Sequence, residues 1–208
     1  GSDSRGELYN DDPVTQDARF CGTTASMCGS EAALFEKDDE KLKRGIREDL
    51  MLHAYMLTQS GIQMLYSSDE IGRLNDYSYK EDPDKAADSR YIHRGAFQWE
   101  LAGNRKSKTS VEGQIFQTLN RLEQIRSQES VFDKDCDVYT YDVHDDSILC
   151  ILRQKGNERF IGIFNFNDSE KTAWMQEEGT FRDLITDQTL ELKAVELPAY
   201  GFMWRKRI

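Results

Sequence analysis

The longest run of helical spacing in the sequence lies between residues 38 and 60. Apolar residues recur there at every third or fourth position, behind the capping candidates Asp38 and Asp39. The second half of this predicted helix, residues 50–57, is apolar nearly all round, so we expect it to be buried on more than one side. Without neighbours from a larger fold, this helix can bury its apolar surface either on the β-rich part of the chain after residue 130 or on a second copy of the chain. We therefore expect self-association of the chain through residues 38–60.

A short apolar run at residues 62–66 follows this helix. It has the length of a strand and no polar alternation, which is typical of a strand covered on both faces of a parallel sheet. The next segment, residues 67–110, is polar and far longer than an ordinary connection, and long ordered loops usually carry function. A second helix is predicted over about 110–127, opened by a capping box of Thr109 and Glu112. One parallel strand cannot form a sheet alone, so this part of the chain indicates a fragment of an α/β fold.

The pattern changes near residue 130, where short β-rich runs replace the helical spacing. Two of them are joined by a glycine-containing loop at residues 154–158, and the spacing throughout fits an antiparallel sandwich. The first forty residues, by contrast, have no sustained apolar period and predict loop with short helical pieces. We expect an α+β chain in which residues 1–130 precede an antiparallel β-sandwich at 131–208. The seven predicted strands are 138–141, 148–153, 160–166, 172–175, 181–184, 190–195 and 201–205.

Composition excludes several classes of protein. The 208 residues include 27 Lys and Arg against 38 Asp and Glu, a net charge of −11, which argues against nucleic acid and anionic membrane surfaces as partners. No stretch approaches the roughly 18 consecutive apolar residues needed to span a bilayer. Aromatic residues make up 11% of the chain, too many for a disordered protein. The sequence favours a cytoplasmic location, although a signal peptide in a longer chain stays an open alternative.

The remaining polar and aromatic residues favour structural roles. The four cysteines lack the spacing of a zinc site, and we interpret them as buried free thiols. We expect no cofactor and no required metal, because the acidic turn at 142–146 lacks the spaced ligands of a calcium loop. His53, Trp174 and Trp204 are expected in the core, whereas Trp99 is expected to brace the long loop.

Three sequence elements resemble one enzyme family. Residues 61–72, GIQMLYSSDEIG, resemble the eighth-strand motif of the α-amylase superfamily of glycoside hydrolases, G-x-P-x-x-Y-x-G-D/E-E-x-G, with Gln63 in place of Pro and Ser68 in place of the common Gly. The continuation, LND at 74–76 and DSRYIHR at 88–94, is similar to amylosucrases and sucrose hydrolases. Upstream, DARFCGT at 17–23 resembles the amylosucrase element D-x-R-x-S-G-T. The resemblance covers residues 13–208.

The resemblance implies a fold and an activity for a parent protein. The chain is expected to be the last helix-strand-helix portion of a (β/α)₈ catalytic barrel followed by its C-terminal β domain. In this family an Asp nucleophile and a Glu acid/base cleave or transfer α-glucosyl units of sucrose or α-glucans with retention, assisted by a stabilising Asp. All three are expected upstream of residue 1, so no catalytic residue is assigned here and the fragment by itself is expected to be inactive.

The resemblance also implies five substrate-binding residues. Arg90 is expected at the bottom of the sugar pocket, paired with a carboxylate from earlier in the parent chain, and Arg19 near the stabilising Asp. Asp69, Asn75 and Asp76 are expected at the carboxyl end of a barrel strand and in the loop after it, where barrel enzymes build their sites. Each has an alternative: a solvated loop charge for the arginines, and a cap or turn for the other three.

A rival interpretation needs no catalysis. Residues 131–208 would then be a carbohydrate-binding or structural β-sandwich module. The upstream coding sequence separates the two interpretations, because further barrel carboxylates would support the enzyme. Hydrolysis and transglucosylation, sucrose and other α-glucosides, and the oligomeric state stay open at this point.

Overall fold

The computed structural model describes residues 2–177 and 179–208 and is α+β with an antiparallel sheet. It divides into two compact units, Gly1–Asp49 with Leu65–Gln117 and Leu50–Met64 with Thr118–Ile208. The helices are α1 Thr24–Met27, α2 Ser30–Glu36, α3 Asp39–Leu57, α4 Trp99–Ala102 and α5 Val111–Gln128. The strands are β1 Glu7–Asp12, β2 Asp17–Cys21, β3 Asp137–Tyr141, β4 Ile148–Lys155, β5 Glu158–Asn165, β6 Lys171–Trp174, β7 Thr180–Asp183, β8 Thr189–Glu191, β9 Ala194–Leu197 and β10 Phe202–Arg207.

Both long predicted helices are confirmed as α3 and α5. Asp38 caps α3, because its Oδ1 accepts a hydrogen bond from the backbone N–H of Lys41 at 3.0 Å. The cap of α5 is Ser110, whose hydroxyl accepts from the N–H of Gly113 at 3.1 Å. The expected cap at Thr109 is wrong by one residue, because that hydroxyl contacts Ser107 Oγ at 3.2 Å instead.

The second unit is built on a six-stranded antiparallel sheet in the order β3-β4-β5-β10-β7-β8. Alternation along β5 sends Phe160 and Phe164 to one face, where they contact α3 and α5, and Ile161 and Ile163 to the other. The pair β6-β9 covers that other face as a two-stranded ribbon. The expected antiparallel β domain is therefore present, with one large sheet and one small one.

The expected strand at 190–195 is two strands. Residues 189–191 pair with β7 in the large sheet, whereas residues 194–197 pair with β6 in the ribbon. The chain changes sheets at Leu192, which is buried in the core between them. Leu190, Leu192 and Ala194 alternate in the sequence, which hides the change, but in the structure Ala194 is exposed and Val195 is buried.

The apolar half of α3 is covered within the second unit. Met51, Ala54 and Leu57 belong to one buried cluster with Leu122 and Trp204, which confirms burial of this helix on more than one side. Leu50 and His53 are buried as well. The apolar half of the helix is thus buried on the β-rich part of the same unit, the first of the two expected ways, and self-association through residues 38–60 stays a prediction.

The first unit contains a hairpin that the sequence did not predict. Strands β1 and β2 pair antiparallel, with Leu8 opposite Phe20 and Tyr9 opposite Arg19. Asp12 closes the turn, because its Oδ1 accepts from the N–H of Val14 at 2.8 Å. Most side chains of both strands are exposed, so the hairpin lacks the apolar alternation by which strands are found, and the expectation of loop was wrong there.

The strand expected at 62–66 is also absent. This segment has no regular structure, and Ile62 and Met64 are 91% and 80% exposed. A strand requires a neighbour that bonds its N–H and C=O groups. No strand among residues 2–177 and 179–208 pairs with this segment.

The cysteines and tryptophans that were expected in the core differ in their exposure. The four cysteines are free and buried, as expected. Trp204 is fully buried, which confirms its place in the core, but the expectation for Trp174 was wrong: it is 69% exposed on the outward face of the ribbon. None of the helices in the described part of the chain is long and apolar enough to cross a membrane.

Candidate functional site

Arg90 forms the centre of the candidate site, in a 3₁₀ turn at Ser89–His93. Asp88 caps this turn, since its Oδ1 accepts from the backbone N–H of Arg90 at 3.0 Å. The same carboxylate binds the guanidinium through two parallel bonds, Nε to Oδ1 at 2.8 Å and Nη2 to Oδ2 at 2.7 Å. These bonds from Arg90 lower the pKa of the Asp88 carboxyl to about 2. The arginine that the resemblance paired with an upstream carboxylate thus has a partner inside this chain.

Tyr9 contacts one of the predicted arginines and lies opposite the other in the hairpin. The guanidinium carbon of Arg90 lies 4.3 Å from the centroid of the Tyr9 ring. Arg19 is the cross-strand partner of Tyr9, so the two side chains lie on one face of the hairpin. Arg19 is exposed and makes no ion pair with the residues that the structure describes, and the Nη1 group of Arg90 donates to none of them. Both arginines therefore keep donors for a ligand.

Side-chain bonds fix the hairpin to the loop that carries Arg90. The Ser89 hydroxyl donates to the backbone carbonyl of Leu8 at 2.8 Å. The Glu7 carboxylate accepts from the Tyr79 hydroxyl and pairs with Lys80. Burial, together with the bond to Glu7, raises the pKa of Tyr79 to about 12, so this hydroxyl stays a donor at any physiological pH. The position of Tyr9 against Arg90 is therefore built into the fold of this unit.

Asn75 and Asp69 contact the start of α1. The Asn75 Oδ1 accepts from the N–H of Thr23 at 2.8 Å, and its Nδ2 donates to the carbonyl of Arg5 at 3.1 Å. The Asp69 Oδ2 accepts from the hydroxyl of Thr24 at 3.3 Å. These contacts match the alternative reading of the two residues as structural groups that satisfy turns and helix ends.

Asp76 caps the 3₁₀ turn at Tyr77–Glu81. Its Oδ1 accepts from the N–H and the hydroxyl of Ser78 at 3.0 and 2.6 Å, while its Oδ2 lies 3.6 Å from Nη2 of the buried Arg73. The bond from Ser78 is the main reason that the pKa of Asp76 is lowered. Asp76 also lines a surface pocket of about 530 Å³, which Arg90 and Arg19 do not line.

The structure thus groups the five predicted residues in three places. Arg90 contacts Tyr9, the cross-strand partner of Arg19. Asn75 and Asp69 bond to the start of α1, and Asp76 lines the pocket. Sequence reasoning did not single out Tyr9 or Asp88. Asp88 had a signal, because an Asp two residues before an Arg in a polar loop is a typical turn cap. Tyr9 had none, because it meets Arg90 only through the tertiary fold.

One departure from the motif at 61–72, Ser68, and one match, Gly72, have a backbone explanation. Ser68, which replaces a common Gly, has a φ of 82°, the left-handed region that glycine adopts freely. Its hydroxyl is buried and has no partner among the described residues. Gly72, which matches the motif, also has a positive φ of 61°. The turn that begins the long loop is therefore shaped for glycine at both positions.

Comparison with known proteins gives a fold and no sequence family. No family model matches the chain. Among solved structures it is similar to the trehalulose synthase MutB from Pseudomonas mesoacidophila, with a TM-score of 0.61 and 15% identity over 77% of this chain and 38% of that one. It is similar to a variant of AmyP in complex with maltotriose, with a TM-score of 0.64 and 14% identity over 79% and 35%. It is also similar to a trehalose-6-phosphate hydrolase from Bacillus licheniformis, with a TM-score of 0.59 and 20% identity over 77% and 38%.

These neighbours are α-amylase-family glycoside hydrolases, and the chain spans less than two fifths of the length of each. At identities of 20% or less the likeness concerns the fold. The chain therefore has the α+β fold of a part of α-amylase-family glycoside hydrolases, including an antiparallel β domain.

Proposed function

We propose that this chain is the C-terminal part of a longer α-amylase-family enzyme, similar to amylosucrase, that cleaves or transfers α-glucosyl units of sucrose or α-glucans. The likeness in fold over more than three quarters of the chain is the observation that carries the proposal. In this proposal residues 1–130 complete a (β/α)₈ barrel and residues 131–208 form the C-terminal β domain. The exposed apolar side chains at 62–66 support it, because an eighth barrel strand would gain its missing neighbours in the parent.

The chemistry of the parent follows the retaining scheme. A carboxylate attacks the anomeric carbon while a carboxylic acid protonates the leaving oxygen, and the covalent glucosyl-enzyme then transfers its sugar to water or to another sugar. We assign both carboxyl groups to the remainder of the parent protein. Asp69 is not assigned to these roles because it matches a family position outside the catalytic pair, and Asp88 is not assigned to them because both its oxygens bind Arg90.

Arg90 and Arg19 are the proposed substrate-binding residues. The Nη1 edge of Arg90 is open, and its other edge is fixed by Asp88, so the guanidinium plane is held in one orientation on Tyr9. A fixed planar donor of this kind suits hydrogen bonds to the hydroxyl groups of one sugar ring. Arg19 would donate from the same face of the hairpin.

The test compares the protein translated from the complete reading frame with the 208-residue chain. Both are incubated with sucrose and with maltooligosaccharides, and released glucose and fructose are measured. We expect activity from the longer protein and none from the chain, because nucleophile and acid/base each contribute large rate factors. An inactive full-length protein would contradict the proposal, as would turnover by the chain in a preparation free of other glycosidases.

A non-catalytic sugar-binding module is the second candidate, and one observation favours it. Trp174 is exposed on the ribbon of the β domain, where an aromatic face is open to a ligand. This candidate predicts that residues 131–208 retain all sugar binding, whereas the enzyme proposal requires the first unit.

A further inference from the structure

The pocket beside Asp76 lies entirely within the long loop of the first unit. Its volume is about 530 Å³, within the range of small-molecule sites, and all its lining residues fall between positions 76 and 96. Asp76, Glu81, Lys85, Tyr91 and Arg94 line it. It is separate from the Arg90 and Tyr9 cluster, neither member of which lines it.

The pocket offers open hydrogen-bonding groups around an aromatic ring. The half-buried Tyr91 ring has Lys85 Nζ at 5.9 Å and Arg94 Cζ at 5.7 Å from its centroid. Arg94 donates to no side chain that the structure describes, and Glu81 accepts from none, although both are exposed to the pocket. Asp76 uses Oδ1 on Ser78 and keeps Oδ2 at a long 3.6 Å from Arg73. Donors and acceptors are thus both available.

This mixture of groups selects a class of ligand. Asp76 lies 3.6 Å from Arg73, and Asp82 pairs with Lys85, which leaves Glu81 and Arg94 as one further charge of each sign. The pocket is therefore close to neutral and does not select a phosphate or another anion. No group of three or more His, Cys, Asp or Glu side chains among the described residues is arranged to hold a metal ion. A mainly polar lining also disfavours an apolar ligand. A neutral ligand with many hydroxyl groups, which both donate and accept, matches the pocket.

An aromatic pair with one exposed member, Trp99, adjoins the pocket along the chain. Phe97 and Trp99 follow the lining residue Ala96, and their ring centroids are 4.7 Å apart at an angle of 61°. Trp99 is 79% exposed. Three residues span at most about 11 Å, so Trp99 lies within one or two sugar rings of Ala96. Its open face can stack on the apolar C–H face of a sugar.

We propose that the pocket at residues 76–96 is an additional α-glucan subsite, in which Tyr91 and Arg94 bind one glucosyl unit and Trp99 stacks on the next. This inference rests on the proposed function for the choice of an α-glucan among neutral polyols. The subsite would give the parent a preference for longer glucan acceptors, because a chain held in the pocket and on Trp99 has an end to present elsewhere on the protein.

The experiment titrates the 208-residue chain with maltopentaose and follows binding by calorimetry and by tryptophan fluorescence. Arg94→Ala and Trp99→Ala should each weaken binding about tenfold, the usual effect of losing one charged hydrogen bond or one stacking contact. Arg47→Ala is the control for the first, since Arg47 is another exposed arginine without a partner among the described residues. Phe35→Ala is the control for the second, since the Phe35 side chain is 88% exposed, and both controls should bind like the unmodified 208-residue chain. All four positions are exposed, so circular dichroism should show an unchanged fold.

Each contrary result overturns the proposal in a different way. Loss of binding in Trp174→Ala alone would put the sugar on the β domain. Preference for glucose 6-phosphate over maltopentaose would mean an anion site, and no binding by the folded chain would mean no site. An active full-length protein, together with a 208-residue chain that does not bind maltopentaose, would rule out the subsite and leave the enzyme proposal standing. Weaker binding by Arg94→Ala and Trp99→Ala, together with an inactive full-length protein, would rule out the enzyme proposal and leave the sugar subsite standing.

Discussion

Replacing Arg153 by Met tests how the second unit is held together. Arg153 lies on β4 and is fully buried, yet its hydrogen bonds go mainly to backbone carbonyls. Nε donates to Val131 at 2.6 Å, Nη1 to Thr58 at 2.8 Å and Nη2 to Asp133 at 3.1 Å. The side chain therefore joins the segment after α3 to the segment after α5 and to the sheet. Methionine keeps the length and the apolar stem and removes every donor.

The expected magnitude follows from these three bonds. A hydrogen bond from a charged donor contributes about 1.5–3 kcal/mol, and a buried carbonyl left without a partner costs about 1–3 kcal/mol. Relaxation and entry of water recover part of this, so we expect a loss of about 3–5 kcal/mol in the free energy of unfolding. For a chain of this size the melting temperature should fall by roughly 10 °C.

Urea unfolding followed by near-UV circular dichroism measures the change, with the slope checked for two-state behaviour. Arg182→Met is the matched control, because that arginine pairs with Glu129 at 2.8 Å on a side chain that is 40% exposed. The control should lose less than about 1 kcal/mol. If Arg153→Met is as stable as Arg182→Met, the carbonyl contacts do not hold the unit and the reasoning is refuted.

Three further predictions concern the first unit. Ser68→Gly should raise the free energy of unfolding by about 1–2 kcal/mol. It relieves the strain of a left-handed backbone and removes a buried hydroxyl that has no partner among the described residues. A lower urea midpoint would contradict this. Gly72→Ala should lower the free energy of unfolding by about 2 kcal/mol in the same assay. The new Cβ would lie 2.4 Å from Ile115 Cδ1, and the backbone φ of 61° disfavours alanine. An unchanged urea midpoint would show that the turn adapts. Asp88 has a pKa lowered to about 2 in the folded state, against about 3.9 in an unfolded chain, so its contribution to stability is present above about pH 4 and lost as the pH falls towards 2. Asp88→Asn should therefore flatten the acid limb of the curve of melting temperature against pH in that window, and an unchanged limb would mean that Arg90 does not hold the carboxylate.

The sequence predicted those helices and strands whose hydrophobic pattern lies within the element itself. Helices α3 and α5 are long and strongly periodic, and β4 and β5 are apolar runs of strand length on either side of a glycine-containing turn, so these were found. The hairpin β1-β2 was missed because its side chains are mostly exposed and polar, and it is fixed by side-chain bonds to a loop eighty residues away. The run at 62–66 has the composition of a strand, but pairing depends on neighbours that composition does not supply.

The candidate site likewise has a part that the sequence predicted and a part that it did not. Arg90 and Arg19 were found through resemblance to short motifs, which carry information about a site without any fold. The partner of Arg90 depends on the 3₁₀ turn that brings Asp88 alongside it, and its contact with Tyr9 depends on the packing of the hairpin. Asn75 matches the motif equally well, yet its side chain is occupied by Thr23 and Arg5. Motif resemblance therefore finds positions, whereas the free hydrogen-bonding groups at each position follow from tertiary contacts.

The most direct test of the account is kcat/KM for sucrose in the full-length protein carrying Arg90→Ala, beside Arg47→Ala as the matched control. Arg90 keeps an open donor edge next to Tyr9, and loss of a charged contact to substrate lowers the rate on the order of a hundredfold. We predict that fall for Arg90→Ala and an unchanged value for Arg47→Ala. Equal kcat/KM values for the two variants and the unmodified enzyme would contradict the account, because Arg90 would then be a solvated loop charge.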